Sequence, residues 1–191
     1  SLCIYCGSSS GDRPAYAAAA AELGRTLAAR GIELVYGGAQ VGLMGRVADA
    51  ALAAGGRVIG VIPQQLMRKE LAHHSLTALH VTASMHERKQ KMAELAEGFI
   101  ALPGGIGTFE ELFEIWTWSQ LGMHGKPCGL FNVDGYYDEL VRFLDHATAH
   151  GFIREEQRRM LIVEREIEPL LARFEAYVPP RVEKWIGREA T

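Results

Sequence analysis

The chain has 191 residues and a mass of 21.0 kDa, enough for one ordinary domain with a sizeable core. With 48% hydrophobic and 23% charged residues and a net charge of −3, it carries no broad positive field of the kind nucleic acid requires. It has no long uncharged apolar run to cross a bilayer, and its opening SLCIYCGSSSGD turns polar after six residues. Its three cysteines are too few for a disulfide scaffold, so the expectation is a reduced, cytoplasmic protein with neither membrane nor nucleic-acid partners.

In chain order, short apolar runs end in glycine or proline and give way to helical stretches: LCIYCGSSSG, ELVYGGAQVG, RVIGVIP, ALHVTAS, GFIALPGG and KPCGLFNVDG. The first helix lies in RPAYAAAAAELGRTLAARG, with Pro14 near its start and Gly31 as its stop. Others are predicted from Leu43 to Ala54, Met85 to about Glu97, Thr108 to Gln120 and Tyr136 to Ala149. Strand and helix alternating at this length predict an α/β fold, a Rossmann-like doubly wound parallel sheet with helices on both faces. A single domain over residues 1–178 is expected, followed by a peripheral tail at 179–191.

Ligands of open α/β sheets sit at the carboxyl ends of the strands, so turns that follow strands are the informative ones. CGSSSG, YGGAQVGLMG and PGGIGT are three such turns. The last precedes a helix, where bare glycines let backbone N–H groups approach an anion such as phosphate. It lacks the P-loop lysine, and Glu110 breaks the dinucleotide pattern G-x-G-x-x-G. A plain strand-to-helix turn is the competing account of these glycines.

Two charged residues fall on apolar helix faces. Ser84 and Glu87 form an S-x-x-E capping pattern, and at 100° per residue Arg88 then points with Met85, Met92, Leu95 and Ala96, with Lys89 bordering the stripe. Such an arginine should reach for an anion or a carboxylate, unless it snorkels to solvent. Further on, Thr108 and Glu111 read as a T-x-x-E box, yet Glu111 shares its face with Ile115 and Trp118 while Glu110 aligns with Glu114 and Thr117. A carboxylate above apolar side chains is partly desolvated, a setting that shifts its pKa and marks a working acid or base. The helix is apolar around much of its circumference, which a homodimer or deep burial would explain.

Metal and cofactor signals are weak. Cys3 and Cys6 point to opposite faces of a strand, His73 and His74 lack ligand spacing, and HERKQ is not H-E-x-x-H. No metal and no cofactor are expected, and Lys89 alone does not argue for pyridoxal phosphate.

SMHERKQKMAELAEGFIALPGGIGTFEE, taken with YGGAQVGLMG and CGSSSG, resembles the LONELY GUY family of cytokinin riboside 5'-monophosphate phosphoribohydrolases, whose members are often labelled lysine decarboxylases. The likeness runs from Cys3 to about Tyr177 and rests on M-H-E-R-K and P-G-G-x-G-T-x-x-E, with Ala39 standing where relatives often have glycine. It implies a Rossmann-like homodimer that hydrolyses the N-glycosidic bond of an AMP-like nucleotide. Catalysis would fall on Arg88 and Glu111, and substrate contacts on Glu70, Lys89, Gly104, Gly105, Ile106, Gly107, Thr108 and Thr117. Glu111 would stabilise the oxocarbenium-like sugar or activate water, and Arg88 would hold Glu111, the phosphate or a ribose hydroxyl. An AMP nucleosidase and a non-catalytic nucleotide-binding module are the rival readings.

Overall fold

Five of the apolar runs become strands buried along their whole length, the pattern of a parallel sheet covered on both faces. The computed structural model describes residues 1–67 and 72–180. In chain order the elements are β1 (Leu2–Tyr5), α1 (Pro14–Ala29), β2 (Leu34–Tyr36), α2 (Gly42–Ala53), β3 (Val58–Pro63), α3 (Gln64–Met67), β4 (Ala78–Thr82) and α4 (Met85–Leu95). There follow β5 (Phe99–Ala101), α5 (Ile106–Gln120), β6 (Cys128–Phe131), α6 (Asp138–Ala149), α7 (Glu155–Arg159), β7 (Leu161–Glu164) and α8 (Ile167–Glu175). The described residues form one seven-stranded sheet in the order β4-β3-β2-β1-β5-β6-β7, parallel throughout.

Two hydrophobic layers sandwich the sheet. On one face α1, α2 and α8 pack through Leu23, Leu27, Val47, Leu170 and Phe174; on the other α4, α5 and α6 pack through Met92, Leu112, Ile115, Trp116 and Leu144. Gly24 lets α1 lie directly on α2, since a Cβ there would fall 2.3 Å from the Val47 carbonyl oxygen. Cys3 and Cys6 do separate to the two layers, as their odd spacing requires. β4, at the edge, alternates half-buried and exposed residues instead of being buried throughout.

Three local expectations need correction. α5 begins at Ile106 with Gly105 as its cap, so Thr108 lies within the first turn and the T-x-x-E box does not form. Gly104 has no side chain, which leaves the Thr108 hydroxyl room to fold back over the turn. α6 starts at Asp138, because Asn132–Gly135 forms a turn with Asp134 at φ 51° that keeps Tyr136 and Tyr137 out of the helix. β7 and α8 add a strand and a helix; no glycine or proline bounds β7 in the sequence, while α8 carries Pro169 in its first turn.

The winding direction reverses between β1 and β5. There the chain runs outward through β2, β3 and β4 on one side and β6 and β7 on the other, leaving a crevice at the carboxyl ends.

Candidate functional site

Three turns meet at that crevice. The Gly7 N–H donates to the Pro103 carbonyl at 3.0 Å, and the Gly7 carbonyl accepts from the Leu43 N–H at 3.0 Å, so the loops after β1, β2 and β5 are stitched together. Their glycines are needed for close approach. A Cβ on Gly42, at φ +56°, would lie 2.3 Å from the Ser8 carbonyl carbon, and one on Gly104 would lie 2.8 Å from the Gly7 nitrogen.

Gly105 and Gly107 are different. Each is exposed, and a Cβ on either would meet nothing within 4 Å, so no internal packing excludes a side chain there. What their bareness preserves is free space in front of the α5 N-terminus, whose first N–H groups have no helical partner.

α4 supplies the cation. The Ser84 hydroxyl accepts from the Glu87 N–H at 3.1 Å, and the Glu87 carboxylate accepts from the Ala83 N–H at 2.7 Å, which sets the helix phase. With that phase Arg88 and Met92 are the buried residues of α4. Arg88 Nε donates to the Val61 carbonyl at 3.1 Å, and Nη1 donates to Glu111 Oε1 at 2.5 Å. The two side chains are 9% and 12% exposed, so this is a buried, charge-assisted pair spanning from the end of β3 to α5. Gly37, at the end of β2, makes room for it: a Cβ there would sit 2.5 Å from Arg88 Nη2. The snorkelling alternative is thereby excluded.

Burial pushes the Glu111 carboxyl above its ordinary value, while the Arg88 guanidinium pulls in the opposite direction. Its negative charge adds to burial in raising the pKa of Cys3, Tyr5 and Cys6 on and just after β1. From Ile106 to Glu111 the axis advances about 7.5 Å, so the open helix start and the buried carboxylate lie on one short segment.

Lys89 faces the other way along the same seam. Its ammonium bonds Glu110 at 2.5 Å and Glu114 at 2.9 Å. Burial works to lower its pKa, but these two carboxylates outweigh it and hold the ammonium above its ordinary range. A Schiff-base lysine requires the opposite shift, so Lys89 is unsuited to decarboxylase chemistry with pyridoxal phosphate.

Of the other predicted contacts, Gly104, Gly105, Ile106, Gly107 and Thr108 all sit at the start of α5, with Thr108 buried. Thr117, later on α5, is exposed and its hydroxyl donates to the Phe113 carbonyl at 2.6 Å. Glu70 lies outside the described residues. His73 is buried and satisfied, with Nε2 2.9 Å from Asp49 Oδ1 and Nδ1 accepting from the Ser75 N–H at 3.2 Å. Sequence reasoning missed Gly37 as the niche for Arg88. It also missed Tyr136 and Tyr137, whose hydroxyls donate to the Gly104 and Leu102 carbonyls at 2.6 Å each. Only the φ-positive turn at Asp134–Gly135, legible as the dipeptide Asp-Gly, hinted that these tyrosines leave the helix.

A parallel sheet wound both ways, with an open helix start and a buried carboxylate beside its switch point, defines a Rossmann-like protein. A family model described as "Possible lysine decarboxylase" matches residues 44–174. The chain is 51% identical, over 93% of its length and 78% of the relative's, to a probable cytokinin riboside 5'-monophosphate phosphoribohydrolase of Oryza sativa subsp. japonica. It is 49% identical to a cytokinin riboside 5'-monophosphate phosphoribohydrolase of Arabidopsis thaliana, over 93% of this chain and 82% of that one. The chain belongs to this family, the LONELY GUY family. Among solved structures, a molybdenum cofactor binding protein from Rippkaea orientalis superposes with a TM-score of 0.70 at 21% identity, covering 92% of this chain and 95% of that one. The molybdenum cofactor carrier protein of Chlamydomonas reinhardtii gives 0.70 at 22%, covering 92% and 96%; at these identities the likeness concerns the fold.

Removing one member of a buried ion pair strands the other. Glu111→Ala should cost about 3–5 kcal/mol of stability in urea unfolding. Glu111→Gln, which still offers Arg88 a carbonyl oxygen, should cost clearly less; equal losses would show that the pair is not what holds α4 to α5.

Proposed function

We propose that the chain hydrolyses the N-glycosidic bond of cytokinin riboside 5'-monophosphates, N6-substituted forms of AMP, giving the free base and ribose 5-phosphate. The observation that carries this reading is the buried Arg88–Glu111 pair set one and a half turns inside a helix whose exposed start is kept bare by Gly105 and Gly107. The relatives' activity supports it.

The division of labour follows from charge. The 5'-phosphate binds the N–H groups and positive dipole end of α5, and that binding energy orients the ribose over Glu111. As the bond from C1' to the base nitrogen lengthens, positive charge grows on the sugar, and the ionised Glu111 carboxylate stabilises it and receives a proton from the attacking water. Arg88 keeps that carboxylate ionised and aimed, because its guanidinium is itself fixed at the Val61 carbonyl. Water supplies hydroxyl to C1'; Glu111 returns the proton it received to solvent, and the departing base takes one up, so one water is consumed and Glu111 ends ionised.

The working unit we propose is a cytoplasmic homodimer. Leu121 and Met123, just beyond α5, are each 66% exposed, and Ile106 at its start is 82% exposed, so large apolar side chains stand open to solvent at both ends of the helix. No helix among the described residues is long and apolar enough to cross a membrane.

Chromatography of incubations with N6-isopentenyl-AMP and with AMP should show release of base and ribose 5-phosphate, faster from the prenylated nucleotide. In Glu111→Gln the rate should fall by at least about 100-fold; binding without release by the wild type would favour a pure binding module.

The pH profile tests the charge assignment. Burial raises the Glu111 pKa, and the reaction needs the ionised form, so kcat should rise with pH through an acid limb above the ordinary carboxylate value of 4.5. Arg88→Gln removes the opposing cation, and the limb should then move to still higher pH. A shift downward would reverse the assignment.

Sedimentation should show a dimer that Leu121→Asp combined with Met123→Asp converts to monomer. A monomeric wild type would remove the dimer from the proposal.

A further inference from the structure

Tyr136 stands at the mouth of the crevice and takes no part in the chemistry described above. It is 37% exposed, and its hydroxyl donates to the Gly104 carbonyl at 2.6 Å. Its neighbour Tyr137 is buried and donates to the Leu102 carbonyl, also at 2.6 Å. Between them the Pro103 carbonyl is held by the Gly7 N–H at 3.0 Å. Three successive carbonyls of the turn before α5 are thus each fixed by a separate donor.

Peptide planarity gives this a directional consequence. The carbonyl of one residue and the N–H of the next point in opposite directions across a trans peptide. Anchoring the Gly104 oxygen on Tyr136 therefore sets the direction of the Gly105 N–H, and anchoring the Pro103 oxygen on Gly7 does the same for the Gly104 N–H. Without such anchors a glycine pair has more backbone freedom than any other dipeptide, and N–H groups that must point together would point together only part of the time.

The anchor is itself braced. The Tyr136 ring meets Tyr137 edge-on at 4.9 Å and Tyr16 of α1 at 5.6 Å. The turn that carries it is tied down where the Asn132 side chain accepts from the Tyr137 N–H at 2.7 Å and donates to Asp138 at 2.7 Å. A surface tyrosine that only filled space would not need its hydroxyl directed at a backbone carbonyl of the turn that leads into α5.

We propose that Tyr136 is a positioning residue for the substrate's phosphomonoester, acting through the Gly104–Gly105 peptide and not by touching the ligand. The proposal rests on the phosphoribohydrolase reading and assigns to Tyr136 the ordering of the phosphate cradle. It distinguishes the two tyrosines: Tyr137 holds the buried stem of the turn, and Tyr136 its open tip.

The test is calorimetric and kinetic, on the full chain and its Tyr136→Phe variant, which keeps the ring and loses only the hydroxyl. Loss of one positioning hydrogen bond should weaken binding of ribose 5-phosphate about five-fold. Binding of the free base N6-isopentenyladenine should be unchanged, and kcat/KM for the nucleotide should fall by a similar factor, carried by KM. Thermal unfolding of Tyr136→Phe should stay close to wild type, whereas Tyr136→Leu, which also loses the ring contacts, should unfold at lower temperature. Equal weakening toward base and ribose 5-phosphate, or wild-type affinity for both, overturns the positioning role while leaving the hydrolase reading in place. A wild type that neither binds ribose 5-phosphate nor releases base overturns the hydrolase reading, and this proposal with it.

Discussion

The Arg88–Glu111 pair is the constraint around which the carboxyl edge of the sheet is arranged. A guanidinium removed from water needs a carboxylate and hydrogen-bond acceptors at fixed positions, and those positions here belong to three elements distant in sequence: the Val61 carbonyl at the end of β3, the space left by Gly37 at the end of β2, and Glu111 on α5. Satisfying Arg88 therefore fixes the rotation of α4 and the depth of α5 at once. The same pairing leaves Glu111 desolvated yet opposed by a cation, so its proton affinity is poised between two large effects, a common condition of catalytic carboxylates.

Around that pair the glycines fall into two groups with different physical reasons. Gly37, Gly42 and Gly104 are small because atoms of this chain crowd the place of a Cβ, and they bring loops and one guanidinium into contact. Gly105 and Gly107 face open space, so their lack of a side chain serves whatever comes to the α5 N-terminus from outside. Lys89, held between Glu110 and Glu114, balances charge along the outer side of the α4–α5 seam. A family description that mentions lysine decarboxylation finds no chemical support in this arrangement of Lys89.

Much of this was legible before any coordinates. The alternation of short apolar runs with helical ones implied the doubly wound sheet, and the helical phase set by Ser84 turned Arg88 inward, as the structure has it. The T-x-x-E reading of Thr108 and Glu111 failed for a steric reason: Gly104 lets the helix begin two residues earlier, which moves the cap to Gly105 and frees Glu111 for Arg88. β7 escaped because it carries no glycine or proline at its boundaries, and Tyr136 and Tyr137 read as the start of α6 because they stand directly between Gly135 and that helix. Glu70 lies outside the described residues, as do residues 181–191 of the tail expected at 179–191.

What the sequence alone determined is periodic or local: strands and helices from hydrophobic spacing, a helix cap from one serine, and the identity of two charged residues on faces where charge does not belong. Those signals repeat every two or 3.6 residues and need no distant partner to be read. Only the tertiary structure decided that Arg88 chooses Glu111 over solvent, that Gly37 makes the niche for it, and that a tyrosine from the turn after β6 orders the glycine turn after β5. Each of these joins residues far apart in the chain, and the energy that selects them comes from desolvation, which exists only once the sheet and its two helical layers have closed around the site.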